Sequence, residues 1–209
     1  VPHRPRMPSR GARSRAALRS LLAHSSVARG PRRDSTPAAP ERAAGSAGNS
    51  AARGALTAAG GGAGIEIHDD FLPIDAQAEV LCRMERSGWS FTGGRPPNSF
   101  WHMDGLEAEP FFREQLFDMI CERLGRRFEI GRVYANGQTA LQQGAPHVDD
   151  GDVTFLYYPN PRWRAEWNGS LLFLKGGALD AVVPYRPNRA LLFPSHLVHY
   201  ADAPSKSFP

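Results

Sequence analysis

Residues 147–163 read HVDDGDVTFLYYPNPRW, and the reading of the whole chain turns on that run. Val153–Tyr158 (VTFLYY) is β-branched and aromatic. Asp150-Gly151-Asp152 precedes it and Pro159-Asn160-Pro161 follows, which is the pattern of a short strand between turns. Just ahead of it, His147 and Asp149 stand two residues apart. On extended backbone, residues i and i+2 share a face, so one imidazole and one carboxylate can reach a common point. A His-x-Asp alone is a common tripeptide, and Asp149, Asp150 and Asp152 also read as a solvated acidic turn, so the flanking sequence must decide.

Downstream, Ser170–Lys175, Ala181–Pro184 and Arg189–Phe193 are short apolar runs broken by Gly, Pro and Asn, and Phe128–Tyr134 is a matching run upstream. Several short strands at close spacing after helices predict a β-sandwich or barrel with helices packed outside. Leu191–Tyr200 (LLFPSHLVHY) then offers His196 and His199 directly after an apolar strand. Either one, with His147 and Asp149, makes two imidazoles and a carboxylate. That is the facial triad of non-haem iron(II), which leaves coordination positions open for co-substrate and oxygen. The same donors also suit a catalytic zinc.

Upstream, Ile65–Leu72 (IEIHDDFL) suits a short strand. Asp75 is placed to cap a helix running to about Arg86, with Ala78, Leu81, Cys82 and Glu85 interleaved. Trp89–Gly94 reads as a strand and turn, and the wider region Trp89–Trp101 as a lid or an ordinary loop. Pro110 opens a second helix whose Phe112, Leu116, Phe117, Ile120, Cys121 and Leu124 recur at helical spacing until Gly125 ends it. That stripe is a core face. Cys82 and Cys121 form no disulfide framework and read as buried, reduced thiols.

The first 64 residues are different in kind. Ala, Gly, Ser, Pro and Arg fill 50 of the 64 positions, and Phe, Tyr and Trp are absent. Such a segment has too little apolar surface to offset its ordering entropy, which predicts a disordered tail, 1–64, ahead of a folded domain, 65–209. The tail carries 11 Arg against Asp34 and Glu41, a net of +9, while the remainder carries −5. The basic pI therefore belongs to the tail, which argues against a nucleic-acid-binding domain. An Arg-rich, acid-poor leader with a short helix at Ser14–His24 reads as a mitochondrial or plastid transit peptide; without that role the protein would be cytoplasmic. No apolar run is long enough to predict a membrane span. Oligomeric state is not encoded legibly.

Taken in order, His147–Trp163, the turn Asn168-Gly169-Ser170 and Phe193–His199 (FPSHLVH) resemble the prolyl 4-hydroxylase-like branch of the iron(II)/2-oxoglutarate-dependent dioxygenase superfamily. The likeness covers roughly residues 65–209 in its order of elements and is specific from about Tyr134 onward. It implies a mostly β, α+β domain: a double-stranded β-helix (jelly roll, cupin-like) flanked by N-terminal helices, with the metal at one mouth. It assigns the third ligand to His199 rather than His196, and makes Tyr158 a contact of 2-oxoglutarate; Tyr134, on the strand before the His-x-Asp, is a candidate to line the same co-substrate pocket. Asn136 and Gln138 are further polar candidates.

The resemblance further implies iron(II) and 2-oxoglutarate, with ascorbate as an auxiliary reductant. The substrate would be a peptidyl proline or a small molecule, hydroxylated with release of succinate and carbon dioxide. The carboxylate of Asp149 fits hydroxylation rather than halogenation. One departure stands out. The family holds the distal carboxylate of 2-oxoglutarate with an Arg or Lys on the strand after the last histidine, and here only Lys206 lies in that stretch. The expectations that follow are a C-terminally truncated domain lacking its last strand, or a catalytically silent jelly-roll module that binds without turnover.

Overall fold

The computed structural model describes residues 21–28, 56–57 and 64–208. The domain is mostly β, with antiparallel sheets and few helices, in a jelly-roll-like arrangement. The strands are β1 (Leu21–Ala28), β2 (Leu56–Thr57), β3 (Glu66–His68), β4 (Ser90–Gly93), β5 (Phe100–Met103), β6 (Glu129–Gly137), β7 (Val153–Tyr157), β8 (Leu171–Lys175), β9 (Ala178–Val183), β10 (Ala190–Pro194) and β11 (Val198–Ala201). One sheet has the order β2-β3-β10-β7-β1-β6-β5-β4, and the other is β11-β8-β9. The strand runs expected at Phe128–Tyr134, Val153–Tyr158, Ser170–Lys175, Ala181–Pro184 and Arg189–Phe193 are all strands, with ends shifted by a few residues.

β7 and β10 explain why those runs are apolar at nearly every position. Successive side chains on a strand point to opposite faces, so a strand covered on both sides reads as a continuous apolar run. Phe155 and Tyr157 of β7 and Ala190 and Leu192 of β10 face a layer of helices, packing with Val80, Met84, Phe111, Phe112 and Ile120. Their neighbours Leu156, Tyr158, Leu191 and Phe193 face the second sheet, packing with Leu171, Phe173, Ala181 and Val183.

The helical layer consists of α1 (Ile74–Met84) and α2 (Phe117–Leu124), the latter entered through a π-helical stretch, Phe111–Leu116. Gly125 ends α2 in a left-handed conformation, φ 62°, as the sequence predicts. Two details of α1 differ from expectation. Pro73 occupies the cap position and Asp75 lies in the first turn, with no side-chain cap bond; the fixed extended backbone of Pro73 starts the helix instead. The buried stripe is Ala76, Val80 and Met84, which leaves Cys82 exposed while Cys121 is buried. Both faces of this helix carry apolar residues, and packing against β7 and β10 chose the other one.

Within the tail, Leu21–His24, expected at the end of a short helix, instead lie in β1, paired antiparallel with β6 and β7. An isolated helix of that length is marginal, whereas a strand with partners on both edges pairs most of its backbone groups. The rest of the expected helix, 14–20, lies outside the described residues. Among the described residues, no helix is long and apolar enough to cross a membrane.

Candidate metal centre

The segment 144–152 runs antiparallel to the chain from β10 through β11. His147 N–H donates to the His199 carbonyl at 3.0 Å and His199 N–H returns the bond at 2.9 Å. Asp149 N–H donates to the Ser195 carbonyl at 3.0 Å, and Gly144 N–H to the Ala201 carbonyl at 3.0 Å. Residues directly opposite in an antiparallel pair share a face. Asp149, two residues beyond His147, shares that face too. Three side chains from two distant stretches therefore converge because the backbone register makes them.

One ligand atom from each of His147, Asp149 and His199 lies within 4.8 Å of the other two. His147 Nε2 is 3.6 Å from Asp149 Oδ1, and His199 Nε2 is 3.5 Å from Asp149 Oδ2. Each imidazole has its Nδ1 at 2.9 Å from a carbonyl two residues earlier, Ala145 for His147 and Leu197 for His199. A carbonyl only accepts, so Nδ1–H donates, and in the neutral ring Nε2 is left with its lone pair toward the carboxylate. This outer hydrogen bond fixes tautomer and ring orientation in metal-binding histidines.

The environment of each ligand differs. His199 is fully buried, with the Phe193 and Phe173 rings at 4.9 and 5.9 Å. Burial holds its pKa below the ordinary histidine value, against the opposing pull of the Leu197 carbonyl and Asp149, so the ring stays neutral as a ligand must. His147 is exposed and leaves one flank of the group open. Asp149 Oδ2 accepts from Thr154 Oγ at 2.8 Å, Thr154 pairs with Ser195 Oγ at 2.9 Å, and Tyr134 O–H reaches Asp149 Oδ1 at 3.4 Å. Two oriented imidazoles and one anchored carboxylate fit a divalent transition metal.

The open flank leads into a cavity of about 910 Å³. Its walls come from the turn between β4 and β5, from β5, from β6 and from residues 144–150, with Tyr134, His147 and Asp149 among them. Asn136 and Gln138 line it too. Asn136 Oδ1 is 2.7 Å from His102 Nδ1, and Gln138 donates to the Gln142 carbonyl at 3.0 Å. Burial and the neighbouring Asp149 charge raise the Tyr134 pKa, so its hydroxyl stays protonated.

Tyr158 takes the other side of the strand, fully buried between the sheets with Tyr185 at 4.2 Å; its hydroxyl has no hydrogen-bond partner among the described residues. The structure does not bring it to the walls of the large cavity. His196 is exposed on the turn between β10 and β11, and Lys206 is exposed on a later turn, next to Ser205, which bonds to the Glu166 carbonyl. Thr154 and Ser195 were missed in the sequence. A hydroxyl inside an otherwise apolar strand was the available signal for Thr154.

No family model matches the chain, and no curated relative matches it. Among solved structures, the chain is similar to a Pseudomonas putida prolyl-4-hydroxylase, at 20% identity over 68% of this chain and 87% of that one, with a TM-score of 0.48.

Proposed function

We propose that residues 65–209 form an iron(II)- and 2-oxoglutarate-dependent dioxygenase domain, with His147, Asp149 and His199 as the metal ligands. The observation that carries this reading is the convergence of those three ligand atoms within 4.8 Å, with both imidazoles turned so that Nε2 faces the carboxylate. When bound, iron with 2-oxoglutarate and oxygen supplies the oxidation and releases succinate and carbon dioxide. The chain's own residues supply placement. Thr154 holds the carboxylate and is itself backed by Ser195, the phenylalanines around His199 exclude water, and a metal held by the three side chains would be reached from the cavity past the exposed His147.

Tyr134, on the cavity wall, and Tyr158, with its buried unpartnered hydroxyl, are proposed contacts for 2-oxoglutarate, because a buried donor without a partner is costly until a ligand satisfies it. The substrate is proposed to be a peptidyl proline or a small molecule. Incubating the protein with iron(II), 2-oxoglutarate, ascorbate and oxygen is expected to yield iron-dependent succinate, and His199→Ala to yield none. Succinate formation indifferent to iron and to that substitution would remove the proposal.

A further inference from the structure

The cavity beside the triad carries two arginines, and only one is spent on the protein itself. Arg132 makes a two-pronged ion pair with Asp104, Nε–Oδ1 and Nη2–Oδ2 both 2.9 Å, with its guanidinium 4.7 Å over the Tyr134 ring. Arg95, on the turn between β4 and β5, is exposed at the cavity wall and makes no ion pair or side-chain hydrogen bond among the described residues. The carboxylates lining the same cavity are Asp104, Asp149 and Asp150. The first is held by Arg132, the second by Thr154 and Tyr134, and the exposed Asp150 forms no hydrogen bond or ion pair with Arg95 among the described residues.

The turn is closely determined. A Cβ at Gly93 would overlap the Phe100 ring and one at Gly94 would overlap the Asn98 carbonyl, so both glycines are required by space. Asn98 N–H donates to the Arg95 carbonyl at 2.7 Å and closes the turn on Arg95 itself. A guanidinium offers a planar fork that matches a carboxylate. A phosphate would gather several cations, and here the second fork is already occupied.

We propose that Arg95 is the carboxylate-recognising residue of this cavity. The carboxylate belongs either to the distal end of the 2-oxo acid or to the substrate, and this choice alone rests on the oxygenase reading. The test is calorimetric titration of the full chain, wild type and Arg95→Gln, with matched probes. With manganese(II) standing in for iron, 2-oxoglutarate is compared with 2-oxopentanoate, which lacks the distal carboxylate. Without metal, each common amino acid is compared with its carboxamide.

The wild type is expected to favour the carboxylate in one series by at least about tenfold, the effect of one charge-assisted pair. Arg95→Gln is expected to erase that preference and Arg95→Lys to keep part of it. Erasure in the 2-oxo acid series assigns the co-substrate; erasure in the amino-acid series assigns the substrate. No preference in either series for the wild type, or a preference unchanged in Arg95→Gln, overturns the inference. Failure of manganese(II) itself to bind would count against the metal centre instead, and the amino-acid series would still decide the role of Arg95.

Discussion

His147 and His199 are joined backbone to backbone by a reciprocal pair of hydrogen bonds, 3.0 and 2.9 Å, so the two imidazoles are presented together by register and not by side-chain chance. A divalent metal that binds this preset pair binds only the folded chain. Manganese(II) at about a hundredfold over its Kd should therefore stabilise the protein by about 2.7 kcal/mol, roughly 5–10 °C in melting temperature for a domain of this size. Asp149→Asn, which keeps the shape and removes the charge, is expected to abolish that shift while the apoprotein still melts cooperatively. Differential scanning calorimetry with and without the metal checks it.

Thr154 is fully buried and donates to Asp149 Oδ2 at 2.8 Å while meeting Ser195 Oγ at 2.9 Å. Thr154→Val keeps the volume, removes the donor to the carboxylate and strands the Ser195 hydroxyl. Metal affinity is expected to fall about 10- to 100-fold, as for other groups that orient a ligand. Apoprotein stability should fall by about 1–3 kcal/mol, the cost of an unsatisfied buried polar group. Thr154→Ser should restore most of the affinity, which a metal titration would show.

The legible parts of this protein are those where the local pattern and the tertiary environment agree. Val153–Tyr158 and Arg189–Phe193 are apolar throughout because both faces are covered, and the spacing of His147 and Asp149 translates directly into one shared face. His199 needed the distant strand register to be known, so the residues alone left it level with His196. Cys82 reads as buried but is exposed, because both sides of the helix are apolar and only the contact with the sheet selects between them. Thr154 gave only the sign of a hydroxyl in an apolar strand, and nothing in the local sequence of Ser195 says what faces it. Strand β5 was missed because Phe100–Met103 has no alternation, being supported by pairing with β4 and β6.

Asp69 and Arg189 tie the loop after β3 to the start of β10, Arg189 Nε to Asp69 Oδ1 at 2.6 Å and Nη2 to Oδ2 at 3.0 Å. Hydrogen bonding from Arg189 is the main cause that holds the Asp69 carboxyl below its ordinary 3.8, against the opposing effect of burial. A carboxylate lowered by folding contributes stability in full above its unfolded pKa and loses it as pH falls through the folded one. The contribution of this partly exposed pair is expected to be about 1 kcal/mol, lost progressively as the pH falls past the unfolded 3.8 toward the lower folded value. Glu66 and Asp104 are lowered as well, so the test is the difference between wild type and Asp69→Asn in urea unfolding. That difference should be constant from pH 7 to about 5 and shrink as the pH drops further.

Gly169 sits at φ 78°, following Asn168 at φ 56°, in the turn that leads into β8. A Cβ there would stand 2.8 Å from Trp163 Cζ2. Trp163 is in turn stacked on Tyr185 at 3.9 Å, lies 5.1 Å from Phe208, and donates its indole N–H to the Asn168 carbonyl at 2.9 Å. Gly169→Ala therefore combines a left-handed backbone penalty of about 1–2 kcal/mol with displacement of the indole, for an expected loss of about 2–4 kcal/mol. Ser170 is the neutral control: Ser170→Ala at the next position changes a side chain and leaves the turn intact. Chemical unfolding monitored by tryptophan fluorescence should show the Gly169 variant destabilised and its folded emission altered. A Gly169→Ala protein as stable as Ser170→Ala would mean that the indole moves aside without cost, and that the aromatic stack does not hold this end of the sheet.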